Sequence, residues 1–232
     1  MTLDAVVFDF DGLILDTEWA IYESALAAFA AHGHTLTTEA WSTIIGTNSE
    51  EDGSWWDTVC AAAGVHDFDQ HLFDAAYATS DRSIRDRLPA NPGVLELLTA
   101  LTAAGVPLGI ASSSSRAWLD HHISRLELTK HFATLVGADV VGGVGKPAPD
   151  VYLRACADLD ADPARSVALE DSAHGATAAK AAGMAVVAVP TRLTIHNDFT
   201  HVDLVVPSLR DLTVERLAAL MDGSMNGRVD PP

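Results

Sequence analysis

Hydrophobic positions along this chain repeatedly change period. Ala5–Phe8 is a short, β-prone apolar run without polar alternation, the pattern of a strand buried on both faces in a parallel sheet. It ends in Asp9-Phe10-Asp11-Gly12. Over residues 18–31 the spacing becomes helical, with Ile21, Ala25, Ala28 and Phe29 on one face and His32-Gly33 as a stop. Helical patterns continue over 38–45 and 70–88, with no persuasive buried strand, until Leu88-Pro89-Ala90-Asn91-Pro92-Gly93 punctuates the chain. Beyond it the periods alternate. Helices are predicted over 94–104, 116–126, 150–157 and 175–182, and strands over 107–111, 134–137, 167–169, 185–189 and 204–206.

This alternation predicts an α/β protein with a doubly wound parallel sheet and an inserted helical domain. The first strand and its loop occupy residues 1–16, the insertion 17–87 and the remainder of the core 88–222, while 223–232 reads as a loose tail. In such sheets ligands bind at the carboxyl ends of the strands. Polar residues stand at four of these ends: Asp9 and Asp11, Ser112 to Ser115, Lys146, and Glu170-Asp171.

Charge narrows the ligand. The 232 residues carry 14 basic and 32 acidic side chains, a net −18, and the lysines are only Lys130, Lys146 and Lys180. A general attraction to nucleic acid or to an anionic membrane is therefore not expected. An anionic small ligand would need a metal, helix N-termini or a few placed cations. Cys60 and Cys156 form no CxxC, which suits a reducing compartment. With no basic leader and no apolar run long enough for a span, the expected location is cytoplasmic.

Two aspartates at one strand end repel each other unless a cation sits between them. Glu170 and Asp171 enlarge the group into an all-oxygen cluster suited to Mg²⁺. A carboxylate nucleophile beside Mg²⁺ points to phosphoryl transfer through an aspartyl phosphate. Taken singly, each Asp could be a turn or helix cap. Ser112 to Ser115 could be a linker, but they lie between an apolar strand and a helix whose Trp118, Leu119, His122, Ile123 and Leu126 suit one face. Hydroxyls at a helix N-terminus make a phosphate seat. Gly145-Lys146-Pro147 superficially resembles a nucleotide phosphate loop. The match fails, because Val140 and Pro147 stand where glycine and Ser or Thr are required. The ten histidines show no metal-binding spacing, and Trp55-Trp56 are read as packing residues.

In order along the chain, Phe8-Asp9-Phe10-Asp11-Gly12-Leu13-Ile14-Leu15-Asp16-Thr17-Glu18, Ala111-Ser112, Gly145-Lys146-Pro147-Ala148-Pro149-Asp150 and Leu169-Glu170-Asp171-Ser172 resemble the four motifs of the haloacid dehalogenase superfamily. The resemblance implies Asp9 as nucleophile, Asp11 as acid and base, and Ser112 and Lys146 on the phosphoryl oxygens, with Ser113 and Gly12 beside them. It implies Mg²⁺ on the Asp9 and Asp171 carboxylates and the Asp11 carbonyl, with Glu170 a direct or water-bridged ligand. The insertion is similar to the family's helical cap. Substrate-contact candidates are Thr17, Glu18, Thr47, Asn48, Ser114 and Arg116.

The superfamily's dehalogenases proper and phosphonate hydrolases generally lack an aspartate at the place of Asp11, so the resemblance implies a phosphate ester rather than a carbon–halogen or carbon–phosphorus bond. Within the superfamily the chain is most similar to the β-phosphoglucomutase-like proteins, which include mutases and sugar-phosphate phosphatases. The mutases commonly carry a His shortly after the first motif and a basic residue in the cap. Here Glu18-Trp19-Ala20-Ile21-Tyr22 and Gly46-Thr47-Asn48-Ser49-Glu50-Glu51 supply neither. The expectation is a phosphatase acting on a small phosphorylated metabolite, such as a sugar or polyol phosphate, with a hexose phosphate mutase and a noncatalytic phospho-ligand binder as alternatives. A monomer would suffice, and an oligomer is compatible.

Overall fold

A computed structural model describes residues 3–31, 33–45, 55–66, 71 and 87–221. The strands are β1 (Ala5–Phe8), β2 (Leu108–Ala111), β3 (Thr134–Val136), β4 (Ser166–Glu170), β5 (Ala185–Ala188) and β6 (Leu204–Val205). The helices are α1 (Thr17–Ala31), α2 (Thr38–Ser42), α3 (Trp55–Ala62), α4 (Val94–Ala103), α5 (Arg116–Arg125), α6 (Asp150–Asp158), α7 (Ala173–Ala181) and α8 (Val214–Met221). Short 3-10 turns fill several connections.

The strands form one parallel sheet in the order β3-β2-β1-β4-β5-β6. The chain winds outward from β1 through β2 to β3, then returns past β1 to build β4, β5 and β6. That reversal opens a crevice at the carboxyl end of β1. The register brings Phe8 level with Ile110 on β2 and Leu169 on β4. Asp9, Ser112 and Glu170-Asp171 therefore leave the sheet side by side.

Alternate strand residues face opposite layers. Val6, Phe8, Ile110, Val167 and Leu169 pack with Leu97, Leu98 and Leu101 of α4, Leu119 and Ile123 of α5, and Leu217 of α8. Val7, Ala111, Ala168, Val186 and Ala188 pack with Val151, Tyr152, Ala155 and Cys156 of α6 and with Ala176, Ala178 and Ala179 of α7. Burial on both faces explains the unalternated strand sequences. Each fully buried Leu or Ile contributes roughly 1.5–3 kcal/mol.

A third cluster stands apart from the sheet. It joins Ile21, Tyr22, Ala25 and Phe29 of α1, Trp41 of α2, Val59 of α3, and Leu36, Ile45 and Val65, with Leu193 entering from the loop after β5. Asn91 ties the segment before α4 to the loop after β1, donating through Nδ2 to the carbonyls of Gly12 at 2.9 Å and Leu13 at 3.0 Å.

Several boundaries differ from the sequence-based expectation. The fourth strand is longer than 167–169, beginning at Ser166, whose hydroxyl donates to the Asp162 carbonyl, and ending at Glu170, which is level with Ala188. The following helix starts at Ala173 rather than 175, because Ser172 caps it by accepting from the Gly175 N–H. The helix expected over 38–45 stops at Ser42. Most of the helix expected over 70–88 and the tail 223–232 lie outside the described residues. Among the described residues no helix is long and apolar enough to cross a membrane.

Candidate active site

Asp9 follows directly on β1 and is 6% exposed. Lys146, 3% exposed, approaches from the loop before α6 and donates to Asp9 Oδ1 at 2.5 Å and Glu170 Oε1 at 2.6 Å. The Tyr152 hydroxyl, on the first turns of α6, donates to the same Glu170 oxygen at 2.5 Å. Glu170 Oε2 accepts from the backbone N–H groups of Asp171 and Ser172 and from the Ser172 hydroxyl. Both oxygens of Glu170 are thus committed to protein donors.

Asp171 differs. Its Oδ2 is buried and has no hydrogen-bond partner among the described residues. Asp9, Glu170 and Asp171 each place an oxygen within 4.8 Å of the others, an arrangement able to hold a metal ion. Two glycines make room for it. A Cβ on Gly12, whose φ is +90°, would stand 2.1 Å from Asp171 Oδ2, and one on Gly175 would stand 1.9 Å from Glu170 Oε1.

The electrostatics are those of an undercompensated acidic cluster. Three buried carboxylates face one buried ammonium, which leaves −2 when all are ionised. Burial pushes the Asp9 carboxyl up to about 8 despite the opposing pull of Lys146. Burial, reinforced by Asp9, Glu170 and Glu18, holds Asp171 well above the usual carboxylate range. Burial opposes the charge of Lys146, but Asp9 and Glu170 outweigh it and raise the lysine above its ordinary value. A divalent cation bound by hard oxygens would cancel the excess.

Asp11 sits in a different setting, built from hydrogen bonds. Its Oδ1 accepts from the Thr17 hydroxyl at 2.8 Å and the Trp118 indole N–H at 3.1 Å. Its Oδ2 accepts from the Ser114 hydroxyl at 2.7 Å, with Ser112 Oγ at 3.5 Å. Each serine of the run 112–115 has its own task. Ser112 Oγ accepts from the Ser114 N–H, Ser113 Oγ accepts from the Lys146 N–H, Ser114 holds Asp11, and Ser115 caps α5.

The structure therefore brings Asp9, Asp11, Ser112, Lys146, Glu170 and Asp171 to one crevice, with Ser113 and Ser114 behind them. Thr17 is 1% exposed and holds Asp11, so it is not free to meet a substrate. The Gly12 N–H is committed to the Leu15 carbonyl, and the contribution of this residue is space for Asp171. Arg116 is turned toward the β3 edge, bonded through Nε to Asp120 and through a terminal nitrogen to the Leu135 carbonyl. A nearby acid and a carbonyl of the edge strand thus claim the charge expected at the site. Thr47, Asn48 and the side chains of Trp55 and Trp56 lie outside what the structure describes.

Tyr152 and the Trp118 N–H belong to this site although the sequence pattern did not assign them. Both occupy the first turn of a helix that follows a site segment, and helical periodicity counts them as packing residues.

Residues 6–189 match the family model described as haloacid dehalogenase-like hydrolase. The Bacillus subtilis protein named "Putative phosphatase YhcW" is 34% identical over 95% of this chain and 97% of its own length. Hexitol phosphatase B of Escherichia coli is 30% identical over 92% of this chain and 96% of its own. In fold, the chain is similar to the crystal structure of β-phosphoglucomutase from Clostridium difficile, with a TM-score of 0.73 and 21% identity over 96% of this chain and 99% of that one.

Proposed function

The chain belongs to the haloacid dehalogenase-like hydrolases and is a phosphoric monoester hydrolase, and on that premise we propose a Mg²⁺-dependent phosphatase for sugar or polyol phosphates that works through an aspartyl phosphate on Asp9. The observation that carries this reading is the buried cluster of Asp9, Lys146, Glu170 and Asp171 beside the separately held Asp11. The names of the relatives support the substrate class.

Asp9 and Asp171, with the Asp11 backbone carbonyl, would hold Mg²⁺. The unpartnered Asp171 oxygen, the −2 excess and the space left by Gly12 fit a hard divalent ion. When bound, the ion supplies charge neutralisation for the phosphoryl group and the nucleophile. Glu170 anchors Lys146 and, with both oxygens already accepting from protein donors, would add its charge to the site as a direct or water-bridged ligand.

Lys146 favours the charged, nucleophilic form of Asp9 against the effect of burial, a form that metal binding would complete, and with Ser112 it binds the phosphoryl oxygens. An Asp9 oxygen attacks phosphorus while the ester P–O bond breaks, and Asp11 gives its proton to the leaving alkoxide. Asp11 then takes a proton from water, the resulting hydroxide attacks phosphorus, and inorganic phosphate leaves with Asp9 regenerated. The inserted segment would serve as the cap that excludes bulk water during these steps.

Phosphate release from a panel of hexose, hexitol and pentose phosphates, with β-sugar 1-phosphates included, tests the reading. A Mg²⁺-dependent preference abolished in folded Asp9→Asn is expected. Retained turnover in that variant removes Asp9 as nucleophile, and isomerisation without phosphate release replaces hydrolysis by the mutase alternative.

A further inference from the structure

Trp118 lies on the first turn of α5, where helical spacing assigns it to packing, yet its indole N–H ends 3.1 Å from Asp11 Oδ1. From this geometry we propose that Trp118 is a positioning residue for proton transfer: with Thr17 it grips one oxygen of Asp11 and keeps the other beside Ser112, where the phosphoryl group is bound.

Three features fix the donor in place. The Ser115 side chain accepts from the Trp118 backbone N–H and so sets the start of the helix. The buried His122 ring packs edge-on against the indole, with centroids 4.1 Å apart at 65°. His122 is fixed in turn, because Arg125 Nε donates to its Nδ1 and Arg125 also bonds the Leu88 carbonyl. The indole thus reaches Asp11 from a braced helix, whereas the Ser114 hydroxyl comes from a turn. An N–H group donates and never accepts. Trp118 can therefore orient the carboxylate of Asp11 without competing for the proton that Asp11 moves. A misplacement of about 1 Å in such a group costs as much as ~100-fold in rate.

This inference rests on Asp11 being the acid and base proposed above, and the test separates the two. W118F keeps an aromatic ring and removes the N–H. Values of kcat/KM report the steps through loss of the leaving group, so an alkyl phosphate, whose alkoxide needs a proton, is compared with p-nitrophenyl phosphate, whose phenolate does not. W118F should lose roughly tenfold or more on the alkyl ester and no more than about threefold on the aryl ester. In a D11N background W118F should cause no further loss on the alkyl ester. Equal losses on the two esters, no loss on either, or a loss undiminished in D11N would overturn the proposal. Unchanged alkyl turnover in D11N alone would remove the acid–base reading of Asp11 and the proposal with it.

Should W118F not fold, the indole ¹H–¹⁵N signal of Trp118, assigned through its proximity to the His122 ring, gives the answer in otherwise native protein. It should move upfield in D11N, and an unmoved signal rejects the proposal.

Discussion

Asp9 and Asp11 stand two residues apart, yet the fold surrounds them by opposite means. Asp9 is buried among charges: one lysine, a glutamate and another aspartate. Asp11 is surrounded by neutral donors, two hydroxyls and an indole, with a third hydroxyl at the limit of contact. The first setting is balanced only when a cation joins it, so its chemistry is tied to metal and pH. The second is complete in the protein alone. A nucleophile needs charge held in place, whereas an acid–base group needs orientation and freedom to change its proton.

The sharpest way to break this contrast is Lys146→Ala. Three buried carboxylates would lose their only ammonium, which should cost about 3–5 kcal/mol of stability. Phosphate release should fall ~10²–10³-fold as a phosphoryl-oxygen donor disappears. Chemical denaturation and steady-state kinetics read the two effects separately. Asp11→Asn should lose ~10²–10⁴ in activity with a melting temperature close to wild type. If Asp11→Asn destabilised the chain as much as Lys146→Ala, the two settings would not differ as described.

Metal and pH sharpen the same comparison. Asp9 holds its proton up to about 8 in the folded chain, against an ordinary value of 3.8. Between those values the folded state binds more protons than the unfolded one, so metal-free stability should fall as pH rises through that window. Mg²⁺ requires the deprotonated carboxylates, and its stabilisation should therefore be larger at about pH 8.5 than at about pH 5.5. Thermal unfolding with Mg²⁺ and with a chelator checks this. Asp171→Asn removes the unpartnered carboxylate. It should raise the melting temperature of the metal-free protein and abolish its response to Mg²⁺. An unchanged response would take Asp171 out of the metal site.

The carboxylates, the lysine and the hydroxyls of both settings were legible in the sequence, and the aromatic donors beside them were not. Asp9, Ser112, Lys146, Glu170 and Asp171 follow from one rule, that polar residues at the carboxyl ends of parallel strands converge. The doubly wound sheet was legible for the related reason that strands buried on both faces lose their polar alternation. Trp118 and Tyr152 escaped because an aromatic residue at helical spacing carries the same pattern whether its polar atom meets a site or not. Arg116 misled for the converse reason. A cation near a site in sequence is claimed by whichever acid lies closest in space, here Asp120 one helical turn on. Gly175 gave no signal, since its role is the space a Cβ would take from Glu170.

Ser115→Ala should have the smallest effect and discriminates most finely. The side chain caps α5 and touches neither the charged cluster nor Asp11. Its loss leaves a first-turn N–H unsatisfied at a cost of ~1 kcal/mol, seen as a fall of ~2–4 °C in melting temperature. Because that turn carries Trp118, alkyl phosphate turnover should fall too, by less than in W118F, while Mg²⁺ stabilisation keeps its wild-type size. A cap removal that weakened Mg²⁺ binding instead would mean that α5 supports the Asp9 cluster as well, and that the two carboxylates share one scaffold.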